Sequence, residues 1–178
     1  VDIVMDIALT AERTRCMVFT RQYADAPVAL VSRMQDVRAA HDVELTGLRL
    51  VTERDFVFSS IARERYPTAV HIQAQTTREA LQMVADGQAD VYLGNAHVAN
   101  SLITGTGIPR IGLQRQTDLP ADSLHFGVPN ARQPLAEALD IALAAIPEAR
   151  SQAIRAKWMQ PLQWLGSGTL ALTARETE

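Results

Sequence analysis

Short apolar runs alternate with longer segments whose apolar residues recur every three or four positions. Runs of four to eight apolar residues bounded by turn formers read as strands, and the three-to-four spacing reads as helix. Residues 2–8, 16–19 and 28–31 are therefore expected strands, with a helical turn at 10–13 that opens on a Thr cap. The polar, mixed stretch 32–44 reads as a surface connection ending at Gly47. From Leu48 onward the alternation is regular. Strands at 48–51, 70–74, 90–93 and 110–113 interleave with helices at 56–66, 77–86 and 96–103. That order is the signature of βαβ units and a mostly parallel sheet, so the chain is expected to be an α/β protein.

The helices have local support. Ile61, Ala62 and Tyr66 share one helical face, as do Ala80, Leu81, Val84 and Ala85. Thr76 can cap the second of these helices, and Gly87 supplies the left-handed residue that ends it. After a turn near 119–122, a strand at 124–128 leads into an amphipathic helix at 133–146 carrying Leu135, Ala138, Leu139, Ala142 and Leu143. Pro147 breaks that helix and opens another at 148–159, beyond which periodicity is lost from Gly166. No internal repeat or low-complexity tract interrupts this order.

Composition narrows the function classes. The chain has 178 residues, 47% hydrophobic and 21% charged, which suits an ordinary globular core. Its net charge of -3 comes with no run of Lys or Arg interleaved with aromatics, so nucleic-acid binding is set aside. No apolar stretch is long enough to span a bilayer, and the first residues lack the layout of a signal peptide. Val1 instead opens directly into the run Ile3, Val4, Met5 and Ile7, which reads as a strand from the middle of a domain; a longer parent chain is expected. Cys16 is the single cysteine, so an internal disulfide and a multi-cysteine metal site are excluded. Its apolar neighbours Met17, Val18 and Phe19 favour a buried small hydrophobe over a reactive thiol. His41, His71, His97 and His125 show no metal-ligand spacing. Thr104-Gly105-Thr106-Gly107 has too little context for a nucleotide loop and reads as a helix-to-strand link. No cofactor is expected.

Several segments carry a resemblance. Asp6-Ile7-Ala8-Leu9-Thr10-Ala11-Glu12-Arg13, followed by Phe19-Thr20-Arg21-Gln22-Tyr23, is similar to the Thr-x-x-Arg and Phe-Ser-x-x-Tyr elements of amino-acid-type periplasmic binding proteins, type II (extracellular solute-binding family 3). Leu45-Thr46-Gly47-Leu48-Arg49-Leu50-Val51 resembles that family's entry to its second lobe. Ala80-Leu81 through Gly87-Gln88-Ala89-Asp90-Val91-Tyr92 resembles its Glu-Ala-Leu to Gly-x-Ala-Asp-Ala segment, and Phe126-Gly127-Val128 with Ile154 to Lys157-Trp158 resembles its closing strand and helices. The resemblance covers nearly the whole chain. It implies two α/β lobes with mostly parallel sheets flanked by helices and two hinge crossings, near residues 23–27 and 119–123. Lobe one would comprise 1–26 and 121–165, lobe two 27–120, and 166–178 a tail or linker. The family's first strand and helix, which precede Asp2, are missing, so lobe one is expected to be truncated. Its sheet would then present an edge for pairing with another chain, a homodimer included, or would rely on lobe two.

The same resemblance implies a binding site. Arg13 would grip a ligand carboxylate with paired charge-assisted hydrogen bonds, and Thr10 would add a hydroxyl; the alternative is a surface arginine paired with Glu12 or solvent. Two positions before Thr10, where the family commonly has a second hydroxyl, stands Ala8. Asn95 stands where amino-acid binders have an aspartate for the ammonium; an amide cannot offset a buried positive charge, and Asn95 fits a helix N-cap equally well. The loop Thr52-Glu53-Arg54-Asp55-Phe56 lies between strand and helix, where ligands of open α/β sheets collect. There Thr52 would contribute a hydroxyl, Arg54 positive charge and Phe56 a stacking wall, against an outward Arg54 and a core Phe56. His97, close to Asn95, could line the cleft or be a partly exposed helix histidine.

Among family members, the chain most resembles the Venus-flytrap domains of hybrid sensor histidine kinases of the BvgS/EvgS type, partly through Leu170-Ala171-Leu172-Thr173-Ala174-Arg175-Glu176. The expectation is a non-catalytic, periplasmic solute-sensing domain of a membrane-spanning two-component sensor kinase, closing on a small carboxylate-bearing metabolite or signalling through closure without one. A free substrate-binding protein of an amino-acid transporter is the alternative. A dehydratase on the same fold is a third reading, with Glu53 as its only obvious general acid or base.

Overall fold

The computed structural model describes residues 2–36, 38, 44–119 and 123–165. Its larger sheet grows from apolar runs covered on both sides. Strands β4 (Val28–Arg33), β5 (Arg49–Glu53), β6 (Val70–Ala74), β7 (Val91–Asn95) and β8 (Ile111–Gln116) lie in the order β6-β5-β7-β4-β8. Alternate residues feed two cores. Val28, Leu30, Leu50, Val91 and Leu93 meet Phe58, Ala62 and Tyr66 of helix α1 (Val57–Arg65) and its C-terminal cap. Ala29, Val31, Val51 and Tyr92 meet Ala80, Leu81 and Val84 of α2 (Thr77–Ala85) and Ala96 and Ala99 of α3 (Ala96–Thr106). Strands buried on both faces lose the polar alternation of a half-exposed strand, which is why the central runs Val28 to Val31 and Val91 to Leu93 are apolar throughout.

The smaller sheet is organised by β9 (Ser123–Pro129), which pairs antiparallel with β1 (Val4–Ile7), β2 (Met17–Phe19) and the two-residue β3 (Ala24–Asp25). Helices α4 (Gln133–Ala144) and α5 (Glu148–Trp158) follow β9. The sheets are thus mixed, where the sequence pattern led to mostly parallel ones. In the larger sheet β5, β6 and β7 run parallel, and β4 runs against both of its neighbours, β7 and β8. The reason is connectivity. β4 carries the chain away from the small sheet, and the other strands return toward it. The C-terminal ends of β5 and β7 and the start of β4 therefore share one end of the sheet.

The termini of α2 follow the sequence reading: Thr76 Oγ1 accepts from the Glu79 amide at 3.1 Å, and Gly87 adopts φ +76°. Two expectations are corrected. Cys16 is exposed, because it caps a 3-10 turn at Arg13–Arg15 and the strand begins only at Met17. In α4 the fully buried residue is Ala136, with Leu135, Leu139 and Leu143 half-buried and Ala138 and Ala142 exposed, so the stripe is narrower and rotated from the one the spacing suggested. His41 and the tail 166–178 lie outside the described residues, as does the centre of the second hinge, 120–122.

A third crossing joins the sheets. Beyond α5 the chain reaches the edge of the larger sheet, where Trp164 bridges Leu113 and the Leu165 amide donates to the Leu113 carbonyl at 2.6 Å. Leu162 and Trp164 pack against the α2/α3 core. Asn100 donates to the Pro161 carbonyl at 3.4 Å and Thr104 to Gln160 Oε1 at 3.2 Å. Residues 160–165, which the resemblance would place with lobe one, thus pack on the edge of the larger sheet. At the opposite end of that sheet Asp90 gathers three arginines. It accepts from Arg49 Nε and Arg33 Nη2 at 3.0 Å each and from Arg38 Nη2 at 3.3 Å, and Arg38 also pairs with Asp36.

Candidate ligand-binding cleft

A cleft of about 660 Å3 lies where the two sheets face each other. From the small sheet it takes Val4, Met5, Asp6, Ile7 and Ala8 of β1 and its exit, Arg13 of the 3-10 turn, Asp25 of β3 and Leu124 of β9. From the larger sheet it takes Asp55 to Phe58, at the β5–α1 junction, and Asn95, His97 and Val98, at the β7–α3 junction. Met159 closes one side. This is the end of an α/β sheet where strand C-termini and helix N-termini converge, the usual place for ligands in open sheets.

Of the six residues singled out from sequence, Arg13, Phe56 and Asn95 line the cleft together. Arg13 is half-buried, and its Nη1 donates to the Ala8 carbonyl at 2.9 Å, which holds the guanidinium against the cleft wall. Phe56 is 59% exposed, at the mouth, and is neither capping by side chain nor part of the core. Asn95 is a helix cap: its Oδ1 accepts from the His97 and Val98 amides at 2.9 and 3.1 Å. Thr10 stands one step back, its Oγ1 accepting from the Arg13 amide at 3.3 Å, so it shapes the turn that presents Arg13. Thr52 is buried, paired with Ser59 Oγ at 3.0 Å, and supports the loop from below. Arg54 is exposed and outside the cleft lining. Residue 55 takes φ +62°, and the loop reverses there, so neighbours in sequence diverge in space.

Sequence reasoning passed over the carboxylates Asp6, Asp25 and Asp55, all of which line the cleft. Asp55 belongs to the strand-to-helix loop of residues 52–56, and that junction is the signal in the sequence that places it near a ligand. Asp25 lies in a predicted hinge, where composition gives no hint of facing. Asp6 is held by Tyr23, whose hydroxyl donates to its carboxylate while the ring stacks on Phe126 at 4.7 Å. Burial and this hydrogen bond push the Tyr23 hydroxyl up to about 12. The Phe-to-Tyr motif therefore has a structural role: Phe19 meets His125 edge-on at 6.1 Å, and Tyr23 pins the cleft-facing β1 to β9.

His97 is the most unusual group. Its Nδ1 is buried with no hydrogen-bond partner, and burial lowers its pKa while the Asp25 carboxylate pulls the other way. Asp25 and His97 also line a smaller, polar cavity of about 330 Å3 with Pro27 and Gln116, adjoining the cleft at the first crossing. Glu53, by contrast, lies beneath the loop and outside the cleft. Its Oε1 accepts from Thr77 Oγ1 and Tyr92 Oη at 2.8 Å each, and Oε2 is buried without a partner. No group of three or more His, Cys, Asp or Glu among the described residues is placed to hold a metal ion.

Comparison with known proteins decides the fold. The chain superimposes on the Bordetella pertussis BvgS periplasmic VFT2 domain with a TM-score of 0.77 at 22% identity, covering 88% of this chain and 67% of that one. The fold is that of a type II periplasmic binding protein, a Venus flytrap. A histidine kinase sensor domain with similarity to periplasmic binding proteins gives the same TM-score at 20% identity, over 92% of this Venus flytrap and 72% of that chain. The substrate-binding protein of an amino acid ABC transporter gives 0.73 at 15% identity, over 89% and 70%. In sequence, the chain is 24% identical over 150 residues to the virulence sensor protein BvgS of Bordetella bronchiseptica, covering 84% of this chain. It spans 12% of that relative's length. No family model matches. The two sheets are the cores of the flytrap's lobes, and the cleft lies between them.

Proposed function

We propose that this chain is the periplasmic solute-sensing domain of a membrane-spanning two-component sensor kinase, and that its lobes close on a small carboxylate-bearing ligand. The observation that carries the reading is the cleft itself: about 660 Å3, lined from both sheets, with the Arg13 guanidinium fixed at its wall and apolar lining from Met5, Phe56, Val98 and Leu124. A ligand that touches both lobes favours the closed arrangement by its differential affinity, and that shift is the signal. Likeness to periplasmic sensor domains supports the setting: extracytoplasmic, within an inner-membrane protein.

The alternative is a free substrate-binding protein of a transporter, which shares this fold. The two part company outside the lobes: a sensor's gene continues into a membrane span and a kinase, and reading that gene separates them. A dehydratase is disfavoured by Glu53, whose carboxylate faces Thr77 and Tyr92 and is remote from the cleft lining.

The test is thermal stabilisation of the 178-residue chain by a library of small carboxylates, dicarboxylates and amino acids, with Arg13→Ala alongside. Saturating ligand raises the melting temperature, since binding at a hundredfold excess over Kd adds about 2.7 kcal/mol to stability. Arg13→Ala is expected to abolish the shift. A shift that persists in the variant refutes the carboxylate assignment.

A further inference from the structure

We propose that Asp25 and His97 form a cation-recognising end of the cleft, so that the ligand is a zwitterion. Its ammonium sits at the first crossing, its carboxylate lies toward Arg13, and a short apolar body spans between them. The inference rests on the sensor reading above and adds to it the charge of the ligand's second end.

Three observations converge. First, Asn95, the residue at the strand end, is not available as an acceptor of choice, because its Oδ1 already accepts from two backbone amides of α3. An ammonium needs its partner elsewhere. Second, Asp25 lines both the main cleft and the polar cavity beside it, and its carboxylate is steadied by Gln22 Nε2 at 2.6 Å. It belongs to β3, on the small sheet, and faces His97 at the start of α3 on the larger one. A group held between them touches both lobes at once. Third, His97 Nδ1 is buried and unpartnered. A neutral imidazole protonated at Nε2 offers that nitrogen as an acceptor, and a buried acceptor without a donor is costly until one arrives. An ammonium supplies three N–H donors, enough for the Asp25 carboxylate and the His97 nitrogen together. The charge balance agrees: among the described residues, Asp6, Asp25 and Asp55 line the cleft against the one guanidinium of Arg13.

The arrangement also explains how a cleft with Asn95 in place of an acid can take an amine. The acid has moved from the strand end of the larger lobe to the crossing strand of the smaller one. Closure then brings anion and histidine together around the ammonium.

The experiment compares matched probes by calorimetry on the 178-residue chain: γ-aminobutyrate against butyrate, δ-aminovalerate against valerate, and leucine against isocaproate. At least one amine-bearing member is expected to bind about tenfold or more tightly than its deaminated partner, the scale of one charge-assisted hydrogen bond. Asp25→Asn, which can still accept from Gln22, is expected to erase that preference. His97→Gln reduces it. Equal binding within every pair, or a preference that survives Asp25→Asn, overturns the proposal and leaves the sensor cleft standing. Carboxylate binding indifferent to Arg13→Ala sinks the earlier carboxylate assignment instead. If no probe binds at all, both fall.

Discussion

Gly94 is the position where a single methyl group tests the packing under the cleft. It sits in β7 beside Asn95, on the same face as Tyr92, and a Cβ there would lie 1.9 Å from Tyr92 Oη and 2.4 Å from Cζ. Real contacts at those separations do not exist, so Gly94→Ala forces the ring to move. Tyr92 is 1% exposed and its hydroxyl donates to Glu53 Oε1 at 2.8 Å, so any movement strips a buried carboxylate of a donor. Losing that hydrogen bond costs about 1–3 kcal/mol, and displacing a ring inside a filled core costs about 1–3 kcal/mol more. Gly94 is not among the residues with positive φ, so alanine meets no backbone strain there. Its lower unfolded-state entropy returns about 0.5 kcal/mol. The expected net loss is about 1.5–5.5 kcal/mol, or roughly 3–22 °C in melting temperature for a chain of this size. Urea unfolding followed by circular dichroism measures it directly. Tyr92→Phe is the companion variant. It removes the oxygen that alanine would strike, so the double variant should be less destabilised than the sum of the singles by about 1 kcal/mol or more. Strict additivity, or a Gly94→Ala cost below about 1 kcal/mol, refutes the contact argument.

Two further perturbations address the ends of the larger sheet. Asp90, with its side chain 9% exposed, is held well below the usual carboxylate range, chiefly by hydrogen bonds from Arg49 and with Arg33 adding to them. A depressed folded-state pKa contributes stability that is complete above the unfolded value of about 3.9 and is lost as pH falls toward the folded one. Asp90→Asn should cost about 3 kcal/mol near neutrality and flatten the fall in urea midpoint below pH about 4; parallel pH curves for the two proteins would contradict this. Gly112 accommodates the Leu165 side chain, since a Cβ there would come within 2.9 Å of Leu165 Cγ. Gly112→Val is expected to expel residues 160–165 from the sheet edge at a cost of about 1–3 kcal/mol, read as lost hydrogen-exchange protection at the Leu165 amide. Unchanged protection would show that the crossing is not anchored by this contact.

Much of the larger lobe is legible in the sequence because local and global signals agree there. Continuous apolar runs such as Val28 to Val31 require cover on both faces, and the three-to-four spacing of Ala80, Leu81 and Val84 provides it. Where the signals separate, prediction fails for identifiable reasons. The reversal of β4 depends on which sheet the chain has just left, a property of connectivity that no window of residues contains. Cys16 looked buried from its neighbours, yet the strand starts one residue later and the thiol caps a turn. The short β3 has two residues and is defined by pairing with β9 rather than by its own composition.

The cleft divides along the same line. Arg13, Phe56 and Asn95 were legible because each stands at a strand-to-helix or strand-to-turn junction, and junctions at one end of an α/β sheet must converge. What those residues do there was less accessible, because a side chain serves its nearest unsatisfied group first. Thr10 and Asn95 are taken up by orphan amides of a turn and a helix, and Thr52 by Ser59. Polar capacity for a ligand then falls to groups that local structure does not consume. Asp55, thrown into the cleft by a left-handed turn, is one such group; Asp25, whose carboxylate keeps acceptor capacity beyond its Gln22 bond, and His97 come from different sheets and line the cleft together only once those sheets are assembled. A binding site between two lobes is legible residue by residue where one element presents it, and becomes illegible where the hinge makes the pair.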